Sequence, residues 1–200
     1  LNGNEFNPLI NPHLGHLISE FGTMQSPLSI SIDSGIPIAA GLGSSAALSV
    51  ASGMALSSFS GSLASIESLA RAAHRAEASA QGGRASPTDT SVSALGGAVI
   101  VNSSRIETLE HRWSIDLESP DGSKHWDVHS LSLPKSLSSI PVVIGFTGNS
   151  SSTKEMVEIV ANQMHQSAFR ASMNEVSELS RQAIELLSQG DPVAIGEAML

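Results

Sequence analysis

The chain has 200 residues, 40% of them hydrophobic, and a formal net charge of −9 with only ten lysine and arginine residues. This length suffices for one domain and part of another, and the acidic balance disfavours nucleic acid and anionic membranes as partners. The absence of cysteine excludes disulfides and thiol chemistry, and no apolar run in the sequence approaches the length of a membrane span. The composition agrees with a cytoplasmic enzyme.

The N-terminal part of the sequence predicts a loop, a short helix and a strand. Residues 1–12 are rich in Asn and Pro, and a helix over residues 13–21 is predicted with Asn11 as its cap and Pro12 at its first position. Residues 28–33 alternate between apolar and polar, which predicts a strand.

A glycine-rich turn follows this strand, and a helix of small residues from Ser44 to about Ser57 follows the turn. Backbone N–H groups at a helix start form an anion site, and Gly41 and Gly43 lack the Cβ atoms that would keep a phosphate away. The segment therefore predicts a nucleotide-phosphate loop, although it lacks the lysine of a Walker A loop. The alternative is an ordinary glycine turn whose small residues let the helix pack closely.

Two carboxylates are singled out in the next segment. A helix is predicted from Ser62 to Ala80, where Gly82-Gly83 stop it, with one apolar face formed by Leu63, Ile66, Leu69, Ala70 and Ala73. Glu77 lies on its last turns and by itself would be taken for a solvated charge flanked by Arg71 and Arg75. Asp89 lies just before a helix predicted to start at Thr90-Ser91, where a turn or N-cap role is the alternative.

The remaining elements are predicted from periodicity. A strand over residues 98–101 is followed by a tryptophan-bearing hairpin over residues 105–133 that turns at Asp121-Gly122. A homodimer contact through this hairpin is conceivable, but local burial of the tryptophans is favoured. A strand over residues 141–146 marks the start of a second unit, with helices over 152–166, 168–188 and 192–200.

Three stretches resemble the GHMP kinase family of small-molecule kinases: residues 37–47, residues 77–97 and residues 147–155. The Ser-Pro-Thr-Asp-Thr spelling at residues 86–90 is similar to that of mevalonate kinases of the archaeal type. The family's opening Pro-Gly-Lys and Gly-Glu-His motif and its closing Gly-Ala-Gly-Gly-Gly segment do not occur. We therefore expect an internal fragment of a longer kinase, which need not be active in isolation.

The resemblance implies an α+β fold with two domains. Residues 1–138 would belong to the family's N-terminal domain, which contains a left-handed β-α-β unit, and residues 139–200 would begin its ferredoxin-like C-terminal domain. The implied reaction is the phosphorylation of mevalonate by ATP with Mg²⁺ as cofactor, so the partner is a small-molecule substrate. The alternatives are another family member acting on phosphomevalonate, homoserine or a sugar, and a sensor that binds nucleotide without turnover.

The resemblance also assigns roles to residues. Asp89 would be the catalytic aspartate that deprotonates the acceptor hydroxyl, and Glu77 and Ser45 would bind the metal. The acceptor pocket would be shaped by Ser86, Thr88, Thr90 and Thr153, with Thr147, Ser152 and Lys154 as further candidates. The nucleotide would be bound by Pro37, Ile38, Ala39, Ala40, Gly41, Leu42, Gly43, Ser44, Ser45, Ala46 and Ala47.

The turn between Glu77 and Asp89 departs from the pattern of these kinases by one extra glycine, within Gly82-Gly83-Arg84. A turn can absorb an insertion without moving its ends. If it does not, the two carboxylates are misaligned.

Overall fold

The computed structural model describes residues 11–22, 28–37, 40–138, 140–141, 143–145 and 153–199. Contacts divide the chain into two compact units, residues 1–130 and residues 131–200. Both helices and strands occur, so the predicted α+β class is confirmed. The first unit contains α1 (Pro12–Phe21), α2 (Ser44–Phe59), α3 (Ile66–Ala80), α4 (Thr88–Leu95), β1 (Ala98–Asn102), β2 (Glu110–Ser119) and β3 (Gly122–Leu131).

Several boundaries lie where local signals predict them. Helix α1 begins at Pro12, and the Asn11 side chain caps it by accepting a hydrogen bond from the Leu14 N–H at 3.2 Å. Helix α3 ends at Ala80. Strands β2 and β3 form the predicted antiparallel hairpin, with Ser119 opposite Gly122 at the turn. Over the described part of the chain, the strands form one sheet in the order β1-β3-β2.

Some predictions of local structure are wrong. Residues 28–33 carry no strand, because no described strand pairs with them and alternation alone does not supply hydrogen-bond partners. Helix α3 begins at Ile66 and not at Ser62, because the Ser65 side chain caps it by accepting from the Ser68 N–H. Of the strand predicted over residues 141–146, the described residues carry no strand, and Val142 and Phe146 lie outside the described part.

Helix α3 joins the two halves of the first unit's core. Its Ala72 and Ala76 pack with Leu17 of α1 and Leu56 of α2. Its Ala70 packs with a sheet cluster that contains Trp113, Ile115 and Val128, with Trp126 alongside. The local burial predicted for the tryptophans is therefore found.

Helices α1, α2 and α3 approach closely at Gly53. A methyl group there would lie 3.2 Å from a Phe21 ring carbon and 3.3 Å from Leu69 Cδ2. A methyl group at these distances would fit only if Phe21 and Leu69 moved by a few tenths of an ångström, so the small residues of α2 allow close packing along the helix as well as any role at its N-terminus.

The second unit contains α5 (Lys135–Ser138), α6 (Thr153–Gln163), α7 (Ser167–Gln189) and α8 (Pro192–Ala198). The three longer helices agree with the predicted ones. The Asp191 side chain caps α8 by accepting from the N–H groups of Val193 and Ala194. None of the helices in the described ranges combines the length and apolar content needed to cross a membrane.

Candidate active site

The turn before α2 contains two glycines in the left-handed region. Gly41 and Gly43 both have positive φ, at 72° and 64°, a conformation that other residues adopt only with strain. Gly43 is the N-cap of α2 and has no side chain with which to cap it. The first N–H groups of a helix have no partner within the helix, so an anion can be bound at this point.

Asp89 lies directly beside this turn. It occupies the first turn of α4, whose N-cap is Pro87, so the predicted start of that helix at Thr90 is two residues late. A methyl group on Gly43 would lie 3.5 Å from Asp89 Cγ and 3.6 Å from its Oδ2. The Asp89 side chain is exposed, and its carboxylate therefore faces the start of α2 without being enclosed.

Glu77 of α3 reaches the same point from inside the protein. Its carboxylate accepts a hydrogen bond of 2.5 Å from the Ser45 hydroxyl on the first turn of α2, and only 4% of the residue is exposed. Burial raises the pKa of Glu77, and the nearby negative charge of Asp89 raises it further, whereas the Ser45 hydrogen bond opposes the increase. Both carboxylates thus lie at the start of α2, one against Ser45 and the other beside Gly43.

The alternative interpretation of Glu77 as a solvated surface charge is wrong. The residue is buried, and the two arginines that flank it have other partners. Arg71 forms an ion pair with Glu67 at 2.6 Å, and Arg75 forms one with Glu20. No cation pairs with Glu77 among the described side chains, so its ionised form is costly, and carboxylates of this kind are common at functional sites.

The predicted acceptor residues lie around the start of α4. The hydroxyls of Ser86 and Thr88 are exposed and hydrogen-bonded to each other at 2.7 Å. Thr90 is fully buried, and its hydroxyl donates to the Pro87 carbonyl at 3.2 Å, which supports the turn that carries Asp89. The remaining candidates lie outside what the structure describes, either as whole residues or as side chains: Thr147, Ser152, Thr153 and Lys154.

The rest of the predicted nucleotide-binding segment is partly described. Pro37 and Leu42 are exposed and Ala46 is buried, while Ile38 and Ala39 lie outside the described residues. An apolar groove of about 780 Å³ runs between residues 28–36 and α2 and ends at Ser44 and Ser45. A ligand bound at the start of α2 thus has an apolar surface beside it.

The oxygen donors at this point suit Mg²⁺. Mg²⁺ is usually held by one or two carboxylates together with phosphate oxygens and water, and not by a cage of protein ligands. Glu77 and Ser45 supply one carboxylate and one hydroxyl, and Asp89 lies nearby. No group of three or more metal-ligating side chains occurs among the described residues.

The spacing of residues along α3 contains a signal for the burial of Glu77. The apolar face of α3 includes Ala70 and Ala73, and positions four residues further along a helix share its face. That spacing places His74 and Glu77 on the buried face, where the structure has both. Of the other predicted face residues, Leu63 is 85% exposed and precedes the helix.

The chain is similar to proteins of one enzyme family. Residues 9–97 match the family model described as GHMP kinases N terminal domain. A mevalonate kinase of Pyrococcus abyssi is 33% identical over 148 residues, 74% of this chain and 36% of that protein. One from Thermococcus sibiricus is 33% identical over 142 residues, 71% of this chain and 34% of that protein.

A third mevalonate kinase, from Methanothermobacter thermautotrophicus, is 46% identical over 80 residues, 40% of this chain and 26% of that protein. The chain thus spans about a third of the length of the first two relatives. No solved structure matches the chain significantly. The resemblance seen in the sequence is confirmed: residues 9–97, which include the glycine turn, Glu77 and Asp89, match the N-terminal domain of the GHMP kinase family.

Proposed function

We propose that the protein transfers the γ-phosphoryl group of ATP to a small-molecule alcohol. One observation carries the proposal: two carboxylates, one buried and one exposed, meet at the open N-terminus of α2. Phosphoryl transfer depends on a cradle for the phosphates, compensation of their charge and a group that takes the acceptor's proton. The turn, the Glu77–Ser45 pair and Asp89 can meet these three needs.

The exposed carboxylate suits the role of general base. Asp89 would accept the proton of the acceptor hydroxyl while the hydroxyl oxygen forms a bond to the γ-phosphorus. At the same time the bond between the γ-phosphorus and the β-phosphate oxygen would break, and ADP would leave. A base for this step must be within reach of a bound alcohol, and the exposure of Asp89 permits that. Its position beside Gly43 also brings it close to where the phosphates would bind.

The buried carboxylate suits a different role. Glu77 and the Ser45 hydroxyl would hold Mg²⁺, which supplies positive charge against the phosphates when it is bound. Burial alone makes the ionised form of Glu77 costly, and a cation would offset that cost. The apolar groove beside residues 28–36 would receive the adenine ring.

Mevalonate is the acceptor that the comparisons favour, since all three relatives described above are named mevalonate kinase. The product would be phosphomevalonate, an intermediate of isoprenoid synthesis, and the protein would act in the cytoplasm. Residues 1–138 would form the N-terminal domain with its left-handed β-α-β unit, and residues 139–200 would begin the ferredoxin-like domain. Ser86 and Thr88 would contact the acceptor.

One experiment tests the reaction and the base together. ADP release by the product of the complete reading frame is measured with Mg·ATP, with and without mevalonate, beside an Asp89→Asn variant. We expect mevalonate-dependent release that the variant loses, while a fluorescent ATP analogue still binds to both proteins. Retained turnover in Asp89→Asn would contradict the role of Asp89.

The alternatives give different results in the same assay. A kinase for homoserine, a sugar or phosphomevalonate would ignore mevalonate and respond to its own acceptor in a panel. A phosphorylated acceptor would need cations near Asp89, and the Arg84 guanidinium is paired with Asp121. A sensor would bind ATP without acceptor-dependent ADP release from any member of the panel.

A further inference from the structure

The turn that separates the two carboxylates is held by a distant part of the chain. Residues 81–87 connect Glu77 on α3 to Asp89 on α4. Within this turn Gly82 and Gly83 have φ of 67° and 84°, and the Gly83 N–H donates to the Ala78 carbonyl at 2.7 Å. The chain thus passes through two left-handed conformations between α3 and α4, and the course of the turn leads directly into α4.

The tip of the β2–β3 hairpin packs on this turn. A methyl group on Gly83 would lie 2.9 Å from Pro120 Cδ, so the proline ring touches the backbone of the turn. Next to this contact Arg84 donates two hydrogen bonds to the Asp121 carboxylate, Nε to Oδ2 at 2.7 Å and a terminal nitrogen to Oδ1 at 3.2 Å. Bidentate ion pairs of this kind fix the relative orientation of the two side chains as well as their distance.

The hairpin tip is itself ordered by local hydrogen bonds. The Ser119 hydroxyl donates to the Gly122 carbonyl at 2.8 Å and accepts from the Asp121 N–H at 3.2 Å. The Asp121 carboxylate is thus presented to Arg84 from a tight turn, and less conformational freedom is lost when the pair forms.

A buried contact holds the other end of the same turn. The ring of His74 on α3 is hydrogen-bonded through Nε2 to the Ala85 carbonyl at 3.0 Å. Trp126 of β3 packs edge-to-face on that ring, with the ring centroids 5.7 Å apart. The β2–β3 hairpin therefore supports the turn at the surface through its tip and in the interior through Trp126 of β3.

We propose that the β2–β3 hairpin positions Asp89 opposite Gly43 and Glu77 by holding residues 83–85, with Arg84 and Asp121 as positioning residues. The consequence for catalysis rests on the proposed function, but the positioning itself does not. A displacement of about 1 Å at a reacting group can cost on the order of a hundredfold in rate. Since three contacts share the turn, we expect the loss of the ion pair to lower kcat by about tenfold.

The test reverses the charges of the pair. Arg84→Glu and Asp121→Arg are made singly and together in the product of the complete reading frame. Each single variant should lower kcat with little change in the KM for Mg·ATP, because the glycine turn of the cradle is untouched. The double variant should recover most of the loss. Arg84→Lys, a milder change that keeps the charge but not the two-pronged geometry, should give an intermediate loss.

The matched control is the Arg71–Glu67 pair on α3. Its side chains are 33% and 46% exposed, against 29% and 46% for Arg84 and Asp121. Arg71→Glu removes a surface ion pair of the same type and should leave kcat unchanged. A similar loss in this control would reduce the effect to one of surface charge and would overturn the proposal.

A second measurement reports position without turnover. A Cβ built on Gly43 lies 3.6 Å from Asp89 Cβ, inside the range of roughly 3.5–4.5 Å found in disulfides. A Gly43→Cys/Asp89→Cys pair should therefore cross-link under mild oxidation, which peptide mapping can follow. The single charge variants should slow this cross-linking severalfold, and the double variant should restore it.

The two measurements separate the possible failures. Unchanged cross-linking in the single variants would overturn the positioning, whereas slowed cross-linking with unchanged kcat in an active enzyme would overturn its consequence for catalysis. If the unmodified protein turned over no acceptor, the proposed function would fail, and the cross-linking rates alone would decide whether the hairpin positions Asp89.

Discussion

The hydrogen bond between Ser45 and Glu77 gives a prediction whose size can be worked out. Ser45→Ala removes the hydroxyl that donates to the Glu77 carboxylate at 2.5 Å. Glu77, which is only 4% exposed, then has one hydrogen-bond donor fewer. Water cannot easily replace that donor at such a depth. The variant should therefore lose stability although alanine is the better helix former.

The expected loss follows from the charge of the acceptor. A hydrogen bond to a charged group contributes about 1.5–3 kcal/mol, and the serine-to-alanine change in a helix returns up to about 0.5 kcal/mol. Ser44→Ala is the matched control because it makes the same change one residue earlier, and no side-chain hydrogen bond of Ser44 is found in the described structure. The two variants should differ by about 1.5–3 kcal/mol, or roughly 3–12 °C in Tm for a chain of this size.

The assay is thermal unfolding of both variants followed by circular dichroism over a range of pH. The Ser45 hydrogen bond lowers the pKa of Glu77, so its removal should raise that pKa further. The ionised carboxylate gains most from the bond, and the difference between the variants should therefore be greatest above this pKa and shrink as the pH falls through it. Equal Tm values for Ser45→Ala and Ser44→Ala at neutral pH would refute the reasoning.

Three further changes test other contacts of the site. Because burial and the neighbouring aspartate raise the pKa of Glu77, the contribution of this residue to stability falls as the pH rises through that pKa. Glu77→Gln should therefore unfold at an equal or higher temperature at pH 7, although turnover is lost. A marked drop in Tm would contradict this. Gly82→Ala and Gly83→Ala both place a side chain at positive φ, at a cost of about 1 kcal/mol, but only the Gly83→Ala methyl group meets Pro120. Urea unfolding should therefore find Gly83→Ala the less stable variant. The reverse order would exclude the packing contact. Burial lowers the pKa of His74 below the usual 6.5, so on acidification the unfolded state takes up this proton at a higher pH than the folded state does. Stability should therefore fall as the pH decreases below about 6.5. A His74→Gln variant whose stability depended on pH in the same way would disprove this assignment.

Local features of the fold were predictable because their causes are local. Asn11 followed by Pro12 starts a helix, Asp121-Gly122 turns a hairpin, and Gly82-Gly83 follow the end of α3, as the structure has them. Each signal acts through hydrogen bonds or backbone conformations within a few residues. The sequence carries them directly.

Other features depend on partners far along the chain. The alternation over residues 28–33 is a property of one segment, whereas a strand also needs a neighbour to accept its hydrogen bonds. The pairing of Arg84 with Asp121 spans 37 positions and follows from how the hairpin lies on α3 and α4. No periodicity of either segment reveals it.

The candidate site lies between these cases. Its residues were recognisable from motifs, because the glycine turn, Glu77 and Asp89 occur in the order and spelling of a family. Only the structure reveals that Glu77 is buried and that the β2–β3 hairpin contacts the turn between α3 and α4. What was predictable is the chemistry that the residues offer, and what was not is how their positions are maintained.

The alanines of α3 have a consequence for how far this protein can vary. Four of them, Ala70, Ala72, Ala73 and Ala76, are completely buried on the helix that carries Glu77. Alanine has no side-chain rotamers, so burying these four residues costs no side-chain entropy. Any larger residue there would have to push a neighbouring element away. A saturation mutagenesis screen should therefore tolerate little besides glycine and serine along this face, whereas exposed positions of the same helix should accept most residues.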